Sequence, residues 1–236
     1  PREEMNAEKF RAAAVRAMKD ISARGKSVFV VGGSGLYVKA LTHGFSPLPP
    51  ASGDLRERLD QLIEDELFVR LGKLDPVIAR TIDARNKRRL IRAVEICLLT
   101  GRPASAQRNP SREPQIAAGV ILSRNREDLY SRINARVEVM FREGVVQEVA
   151  ALRDIGPTAA KTIGLAAIRR VIAGEISEAA CIAQIQQATR RYAKRQLTWF
   201  QRQTNFEPLN LSLHGTDEAI ELIARKARLS FAQKDV

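Results

Sequence analysis

Apolar side chains recur at helical spacing over most of the chain. Near its start, Phe10, Ala14 and Met18 lie four residues apart, after a candidate N-cap at Asn6 and before Gly25. Asparagine satisfies free backbone N–H groups at a helix start, and glycine accepts the left-handed conformation in which helices often end. The pattern therefore predicts a helix between Asn6 and Gly25.

The pattern changes at residues 27–31 (SVFVV), which are β-branched or aromatic after the first serine and uncharged. Such a run is typical of a strand buried on both faces of a parallel sheet. It leads into a glycine-rich turn at residues 32–35 (GGSG) and then a helix start. Ligands of open α/β sheets bind at the carboxyl ends of strands, so the turn is a candidate ligand site. A purely structural turn is the alternative for so short a motif.

A proline-rich connector, residues 44–53 (GFSPLPPASG), separates this pattern from a helical region. Three short helices are predicted there, marked by Leu55 and the leucines after it, by Asp75 and by Asp83. The last ends at residues 100–103 (TGRP). Little strand signal lies between them, which predicts a small all-α insertion.

A second strand-like pattern occurs at residues 116–122, and we place this strand in the same sheet as residues 27–31. The chain is therefore predicted to have an α/β fold. Its core is formed by residues 1–50 and 114–236, and the helical insertion by residues 51–113.

The helix after this strand places Val137 inward and carries Arg132 and Arg136 one turn apart on another face. Two guanidinium groups at this spacing are able to hold a diphosphate jointly. They are equally able to form ion pairs with Glu138 or Asp128. The residue pattern favours neither interpretation.

Residues 187–202 (QATRRYAKRQLTWFQR) are predicted to form a helix with an apolar side and a cationic side. Leu197 lies on the apolar stripe, Lys194 belongs to the basic face, and Arg195 precedes Trp199 by one turn. Cationic groups beside an aromatic ring provide the phosphate neutralisation and the stacking surface that single-stranded RNA requires. A solvated amphipathic helix is the alternative.

Charge and cysteine content limit the class of partner and the cellular compartment that we expect for this chain. Lys and Arg number 39 against 27 Asp and Glu, a formal charge of +12, which favours a polyanionic partner. Cys97 and Cys181 lie in apolar helical segments without metal-ligand spacing, so we expect buried, reduced thiols in a cytoplasmic protein and no metal bound through them. No apolar run approaches membrane-spanning length, so we expect no membrane association.

Several blocks occur together in the order and spacing of one family. They are VVGGSGLYVKAL, SPLPP, RRLIRAVEICLLTGRP, RINARVEVM, AAKTIG and ATRRYAKRQLTWF. The chain resembles the bacterial tRNA dimethylallyltransferases, also called tRNA isopentenyltransferases, over about residues 1–211. The resemblance implies a P-loop-NTPase-like core and a prenyltransferase. Such an enzyme transfers a dimethylallyl group from dimethylallyl diphosphate, with Mg²⁺, to N6 of the adenosine 3′ to the tRNA anticodon. We expect a monomer whose partners are the anticodon stem-loop and dimethylallyl diphosphate.

The resemblance also implies roles for single residues. Ser34 stands where the family usually has threonine, beside the target adenosine, and Arg132 and Arg136 match an arginine pair near the catalytic channel. We expect these three residues to be catalytic. The expected substrate-binding residues are Gly32, Gly33 and Gly35. The expected tRNA-binding residues are Asp54, Arg88, Arg89, Leu90, Arg92, Lys161, Gly164, Lys194, Arg195, Gln196, Thr198 and Trp199.

The largest departure from the family pattern is the absence of two motifs. The chain contains neither the G-x-T-x-x-G-K-[ST] loop that cradles the diphosphate nor the Asp-Ser block whose aspartate is the proposed base. We therefore expect the chain alone to be incomplete for catalysis, with Mg²⁺ held mainly through the diphosphate and residues outside this chain. A tRNA-binding fragment without chemistry and an adenylate isopentenyltransferase are the alternatives. The second is disfavoured because a mononucleotide needs no extended cationic surface.

Overall fold

A computed structural model describes residues 5–44, 48–107, 119–156 and 158–232, which form a mainly helical α/β fold with a small parallel sheet. The helices are α1 (Ala7–Ala23), α2 (Gly35–Thr42), α3 (Gly53–Asp60), α4 (Glu64–Leu74), α5 (Pro76–Ala79), α6 (Lys87–Thr100), α7 (Arg126–Arg142), α8 (Val145–Ala151), α9 (Leu165–Ile172), α10 (Glu178–Gln203) and α11 (Thr216–Ala232). The strands are β1 (Val120–Ser123) and β2 (Glu207–Asn210), and short 3₁₀ turns occupy Ser105–Gln107 and Ala159–Lys161. The chain divides into two compact units, one of residues 1–42 with 115–236 and one of residues 43–114.

The sheet consists of β1 and β2, which run parallel with Val120 opposite Glu207 and Ser123 opposite Asn210. The backbone N–H of Leu211 extends the pairing by donating to the Ser123 carbonyl oxygen at 2.8 Å. The predicted strand at residues 116–122 is confirmed from Val120 onward, while residues 116–118 lie outside the described part of the chain.

The strand predicted at residues 27–31 is wrong. The structure has no strand there, and the side chains of Phe29 and Val31 are 67% and 90% exposed. A strand buried on both faces needs hydrogen-bonded neighbours and a covering layer on each side. In the described part of the chain β1 and β2 pair only with each other, so this β-branched run has no neighbour to extend.

Local capping sets several helix limits, and those at Asn6 and Gly101 are as predicted. The Asn6 side chain accepts a hydrogen bond from the backbone N–H of Lys9 at 2.8 Å at the start of α1. Gly101 ends α6 in the left-handed conformation, with a φ of 63°. The Ser177 side chain caps α10 by accepting from the backbone N–H of Ala180 at 3.2 Å. These interactions span three or four residues, which is why the sequence pattern reveals them.

Among its described residues, the unit of residues 43–114 contains four α-helices rather than the predicted three. The leucine-rich segment expected as one helix stops at Asp60, and α4 begins at Glu64. The carboxylate of Glu66 accepts from the backbone N–H of Ile63 at 3.0 Å and so supports a new helix start. The helices of this unit pack around α6 through a core that includes Leu59, Leu67, Leu71, Ile78, Leu90 and Val94.

Within this unit a fully buried carboxylate joins α3, α6 and the chain before them. Arg56 donates from Nε and Nη2 to the two oxygens of Glu95, each at 3.0 Å. Arg92 donates to the Glu95 carboxylate at 2.6 Å and to the Pro49 carbonyl oxygen at 2.8 Å. The backbone N–H of Ser52 also donates to the Glu95 carboxylate, at 2.8 Å. Burial raises the pKa of Glu95, but these hydrogen bonds outweigh burial and hold the pKa below its usual value.

The unit of residues 1–42 and 115–236 has its core between α7, α8, α9 and α10. The core includes Val137, Val149, Leu165, Ile168, Cys181 and Ile185. The prediction that both cysteines are buried is confirmed, and burial raises the pKa of each thiol. No helix in the described part of the chain has the length and apolar character needed to cross a membrane.

We expect Glu95→Gln to lower the free energy of unfolding by about 2 kcal/mol, because it removes the charge from a carboxylate that accepts three hydrogen bonds from two guanidinium groups. Urea denaturation would measure the change. The matched control is Glu57→Gln on the exposed surface of α3, which should cost less than about 0.5 kcal/mol. Equal losses in the two variants would show that the buried network contributes nothing beyond surface charge.

Candidate nucleic-acid and substrate site

The glycine-rich turn of residues 32–35 lies against the C-terminal part of α10. Gln196 donates from Nε2 to the Gly33 carbonyl oxygen at 2.8 Å. The ring of Trp199 packs so closely on Gly35 that a Cβ there would lie 2.6 Å from the ring atoms Cε2 and Cε3. Two sequence blocks separated by 163 positions are therefore in contact.

Ser34 links the turn to α2. Its carbonyl oxygen accepts from the backbone N–H of Val38 at 2.9 Å, which is the first helical hydrogen bond of α2. The residue is half-buried, and its hydroxyl makes no hydrogen bond to another described residue. A hydroxyl beside a helix N-terminus lies where free N–H groups favour negative charge.

The cationic and apolar sides predicted for α10 are confirmed. Lys194 and Arg195 are exposed, whereas Leu197 and Phe200 are half-buried. An open hollow of about 420 Å³ lies on the cationic side. It is lined by Lys194, Arg195, Thr198, Trp199, Arg202 and Gln203.

Sequence reasoning did not assign Arg202 and Gln203 to a site, although both line this hollow. Helical periodicity was the available signal, because Arg202 lies one turn after Thr198. Cationic and amide groups around an aromatic ring are able to contact both phosphates and bases.

The arginine pair of α7 is divided between two environments. Arg132 donates from Nε to Asp128 at 2.8 Å, so the ion-pair alternative holds for this residue. Arg136 is exposed and forms no hydrogen bond or ion pair within the described ranges. The structure does not join either arginine to the glycine turn by a hydrogen bond among described residues.

Helix α10 contacts α7 as well as the glycine turn. Arg190 donates to the side-chain oxygen of Asn134 at 2.7 Å, and Gln186 donates to its carbonyl oxygen at 3.3 Å. The guanidinium groups of Arg126 and Arg190 lie 5.2 Å and 5.7 Å from the centre of the Tyr130 ring. The contacts of Arg190 and Gln186 with α7 join residues more than 50 positions apart, so no helical periodicity in the sequence indicates them.

Asp128 is the centre of a second polar cluster. Its carboxylate accepts from Ser212 Oγ at 2.7 Å, from Arg132 Nε at 2.8 Å and from Arg124 Nη1 at 2.9 Å. These hydrogen bonds, with that from Ser212 the largest influence, lower the pKa of Asp128 to about 2. The cluster ties the segment after β2 to the start of α7.

The residues expected to contact tRNA within residues 43–114 differ in accessibility. Arg88 and Arg89 are exposed in the first turn of α6, and Asp54 is exposed in the first turn of α3. The expectation that the Leu90 side chain contacts tRNA is wrong, because this side chain is 0% exposed and points into the core. Arg92 is half-buried, and its guanidinium group is bound to Glu95.

The two residues expected to contact tRNA near α9 also differ. Lys161 is exposed at the end of a 3₁₀ turn. Gly164 has a φ of +93°, and a Cβ there would lie 3.0 Å from Cδ1 of Ile185. Backbone conformation and packing thus account for a glycine at this position.

The described side chains do not form a metal site. Within the ranges that the structure describes, no group of three or more His, Cys, Asp or Glu residues is placed to hold a metal ion. Mg²⁺ prefers carboxylate, phosphate and water oxygens in octahedral geometry, and the described side chains do not provide such a set.

Comparison with known proteins decides the family. A model of the IPP transferase family matches residues 1–203. The chain belongs to this family. The resemblance inferred from the sequence blocks is therefore confirmed.

Relatives within the IPP transferase family are similar over most of this chain. The tRNA dimethylallyltransferase of Akkermansia muciniphila is 43% identical over 190 residues, covering 80% of this chain and 65% of that protein. The chain thus spans just under two thirds of that relative's length.

Two solved structures from IPP transferases resemble the fold. The full-length tRNA isopentenylpyrophosphate transferase of Bacillus halodurans has a TM-score of 0.65 and 31% identity, over 100% of this chain and 78% of that one. A eukaryotic dimethylallyltransferase acting on tRNA has a TM-score of 0.72 and 25% identity, over 88% and 57% of the two chains.

We expect the Asp128 carboxyl to titrate with a midpoint of about 2 in the folded protein, against 3.8 for an ordinary aspartate. Because its folded pKa is lowered, the group stabilises the protein above pH 3.8, and this contribution is lost as the pH falls toward 2. The difference in Tm between wild type and Asp128→Asn should therefore shrink over this interval, and carbon NMR would give the midpoint.

The matched control for this titration is Glu138→Gln, an exposed position on the same helix without an ion pair in the described part of the chain. The difference in Tm between wild type and Glu138→Gln should not shrink between pH 3.8 and about 2 as it does for Asp128→Asn. A midpoint near 3.8 for Asp128 would contradict the cluster.

Proposed function

We propose that this chain acts in tRNA modification, as part of a prenyltransferase. The transferred dimethylallyl group would pass from dimethylallyl diphosphate to N6 of the adenosine 3′ to the anticodon. The observation that carries the proposal is the hydrogen bond from Gln196 to Gly33, which holds the cationic helix α10 against the turn that contains Ser34. Membership of the IPP transferase family and the named activities of its relatives support it.

The chemistry explains why a cationic helix would lie beside such a turn. The N6 lone pair of adenine is delocalised and a poor nucleophile, so the allylic C–O bond must ionise while the diphosphate charge is neutralised. The adenosine must also leave its stack to present N6. In our proposal Lys194 and Arg195 bind backbone phosphates, and Ser34 contacts the displaced nucleoside.

The other predicted site residues keep narrower roles in the proposal. Arg136 is available to the diphosphate because it is exposed, whereas Arg132 already donates from Nε to Asp128 and has only its Nη groups left to offer. Mg²⁺ enters as the counter-ion of the substrate diphosphate, and we assign it no ligand among the described side chains. We assign the proton acceptor to no described residue.

The architecture proposed for this function is a P-loop-NTPase-like core of residues 1–50 and 114–236 with a tRNA-contacting insertion at residues 51–113. The helical unit of residues 43–114 supports the insertion. Arg88 and Arg89 are its proposed phosphate contacts, because both are exposed and neighbours at the start of one helix. A cytoplasmic monomer stays a prediction.

The first test is transfer from labelled dimethylallyl diphosphate to an anticodon stem-loop, using the full-length product of the gene that encodes this chain. We expect transfer to a stem-loop with adenosine at the target position and none to the same stem-loop with guanosine there. The matched acceptor is AMP, which should gain no label. Transfer to AMP alone would favour an adenylate isopentenyltransferase, and tRNA binding without transfer would favour a non-catalytic binding role.

The insertion is tested by the salt dependence of tRNA binding. Replacing Arg88 and Arg89 by Ala should flatten the plot of log K against log salt by about 0.7–0.9 for each phosphate that is no longer neutralised, because fewer counter-ions are released. The control is Arg16→Ala on the exposed surface of α1. An unchanged slope in the double variant, measured by filter binding, would remove this helix from the interface.

A further inference from the structure

We propose that Trp199 and Gln196 are positioning residues, and that Gly35 lacks a side chain so that the Trp199 ring can seat on the turn. This inference rests on the proposed function. It gives these two residues of α10 a role beyond RNA contact, because they would set the conformation of the turn that carries Ser34.

The backbone conformation of Gly35 does not call for glycine. Its φ is not among the positive values in the described chain, and it is the first residue of helix α2. Alanine is the better helix former, so glycine at this position needs another reason. The reason is spatial, since a Cβ at Gly35 would overlap the indole ring of Trp199.

The contact at Gly33 is of a different kind. Gly33 also lacks a positive φ, and a Cβ there would overlap the side-chain amide of Gln196. That amide donates to the Gly33 carbonyl oxygen at 2.8 Å, and it is the end of a flexible side chain that is able to move away. The spatial need for glycine therefore lies at Gly35, whereas a Cβ at Gly32 would meet nothing within 4 Å.

The Trp199 ring is itself held in place. It packs edge to face against Phe200, with ring centres 5.0 Å apart and planes at 83°. The residue also lines the hollow formed with Lys194 and Arg195. One rigid side chain thus contacts the turn and also lines the cationic hollow. RNA bound in the hollow would therefore lie next to a turn whose conformation Trp199 fixes.

The test compares Gly35→Ala in the full-length protein with and without Trp199→Leu. With Trp199 present, we expect kcat for transfer to fall about 100-fold, because a displacement of about 1 Å at the turn misplaces the acceptor. The Kd for the anticodon stem-loop should change less than about threefold. With Trp199→Leu, adding Gly35→Ala should cost less than about threefold, because the obstructing ring is gone. The same loss in both backgrounds would overturn the proposal.

A matched control is Gly53→Ala. Gly53 is likewise the first residue of a helix, its φ is not positive, and a Cβ there would meet nothing within 4 Å. This variant should keep the wild-type kcat. A loss equal to that of Gly35→Ala would show that helix-start glycines act through backbone conformation instead.

Fluorescence separates the packing from the chemistry. The emission of Trp199, obtained as the difference between wild type and Trp199→Leu, should shift to longer wavelength in Gly35→Ala because the ring is displaced toward water. An unshifted emission would overturn the packing. If the wild type transfers nothing, the proposed function fails with the positioning role, whereas the packing is still decided by the emission.

Gln196→Leu keeps the proposal testable if Gly35→Ala does not fold. It removes the hydrogen bond to Gly33 without adding bulk to the turn. We expect kcat to fall about fivefold, in line with the loss of one hydrogen bond, while KM and the Kd for the stem-loop stay within about twofold. A weaker Kd with unchanged kcat would make Gln196 an RNA contact and overturn its positioning role.

Discussion

The packing of one long helix connects the parts of the larger unit. Helix α10 has 26 residues, a length of about 39 Å, and its successive turns meet different partners. Cys181 and Ile185 lie in the core. Farther along the helix, Arg190 donates a hydrogen bond to Asn134 of α7, and Gln196 donates one to the glycine turn. Because a hydrogen-bonded helix is stiff, these contacts place the core, α7 and the turn in a defined relation.

The smaller unit shows how burial divides a run of basic residues. Arg88 and Arg89 remain exposed, while Arg92 turns to the buried carboxylate of Glu95. A buried carboxylate is costly unless it is paired and hydrogen-bonded, so Glu95 requires such partners. One arginine of the run therefore serves mainly the structure, and its exposed neighbours are the ones that we propose as phosphate contacts.

The two polar clusters around Glu95 and Asp128 differ in how they relate to binding. In each, arginines share one carboxylate whose pKa is held low by hydrogen bonds. Around Glu95 they join α3 and α6 inside one unit, and around Asp128 they join α7 to the segment after β2. Arg132 belongs to the second cluster, where its Nε is bound to Asp128 while most of its side chain remains exposed.

The sequence by itself determined several of the helices, some of their limits and the family. Capping at Asn6 and the helix end at Gly101 depend on contacts within four residues, so a linear pattern contains them. The amphipathic character of α10 follows from helical periodicity in the same way. Sequence blocks such as VGGSGLY and KRQLTW also indicated the family, because several short motifs in a fixed order are more specific than amino-acid composition.

The tertiary structure alone decided which residues meet. The contact of Trp199 with Gly35 joins distant parts of the chain, and no local spacing encodes it. The same holds for the exposure of residues 27–31, because a strand depends on neighbours that β-branched composition does not supply. Leu90 is a further case: the family resemblance implied contact with tRNA, but the helix turns its side chain into the core.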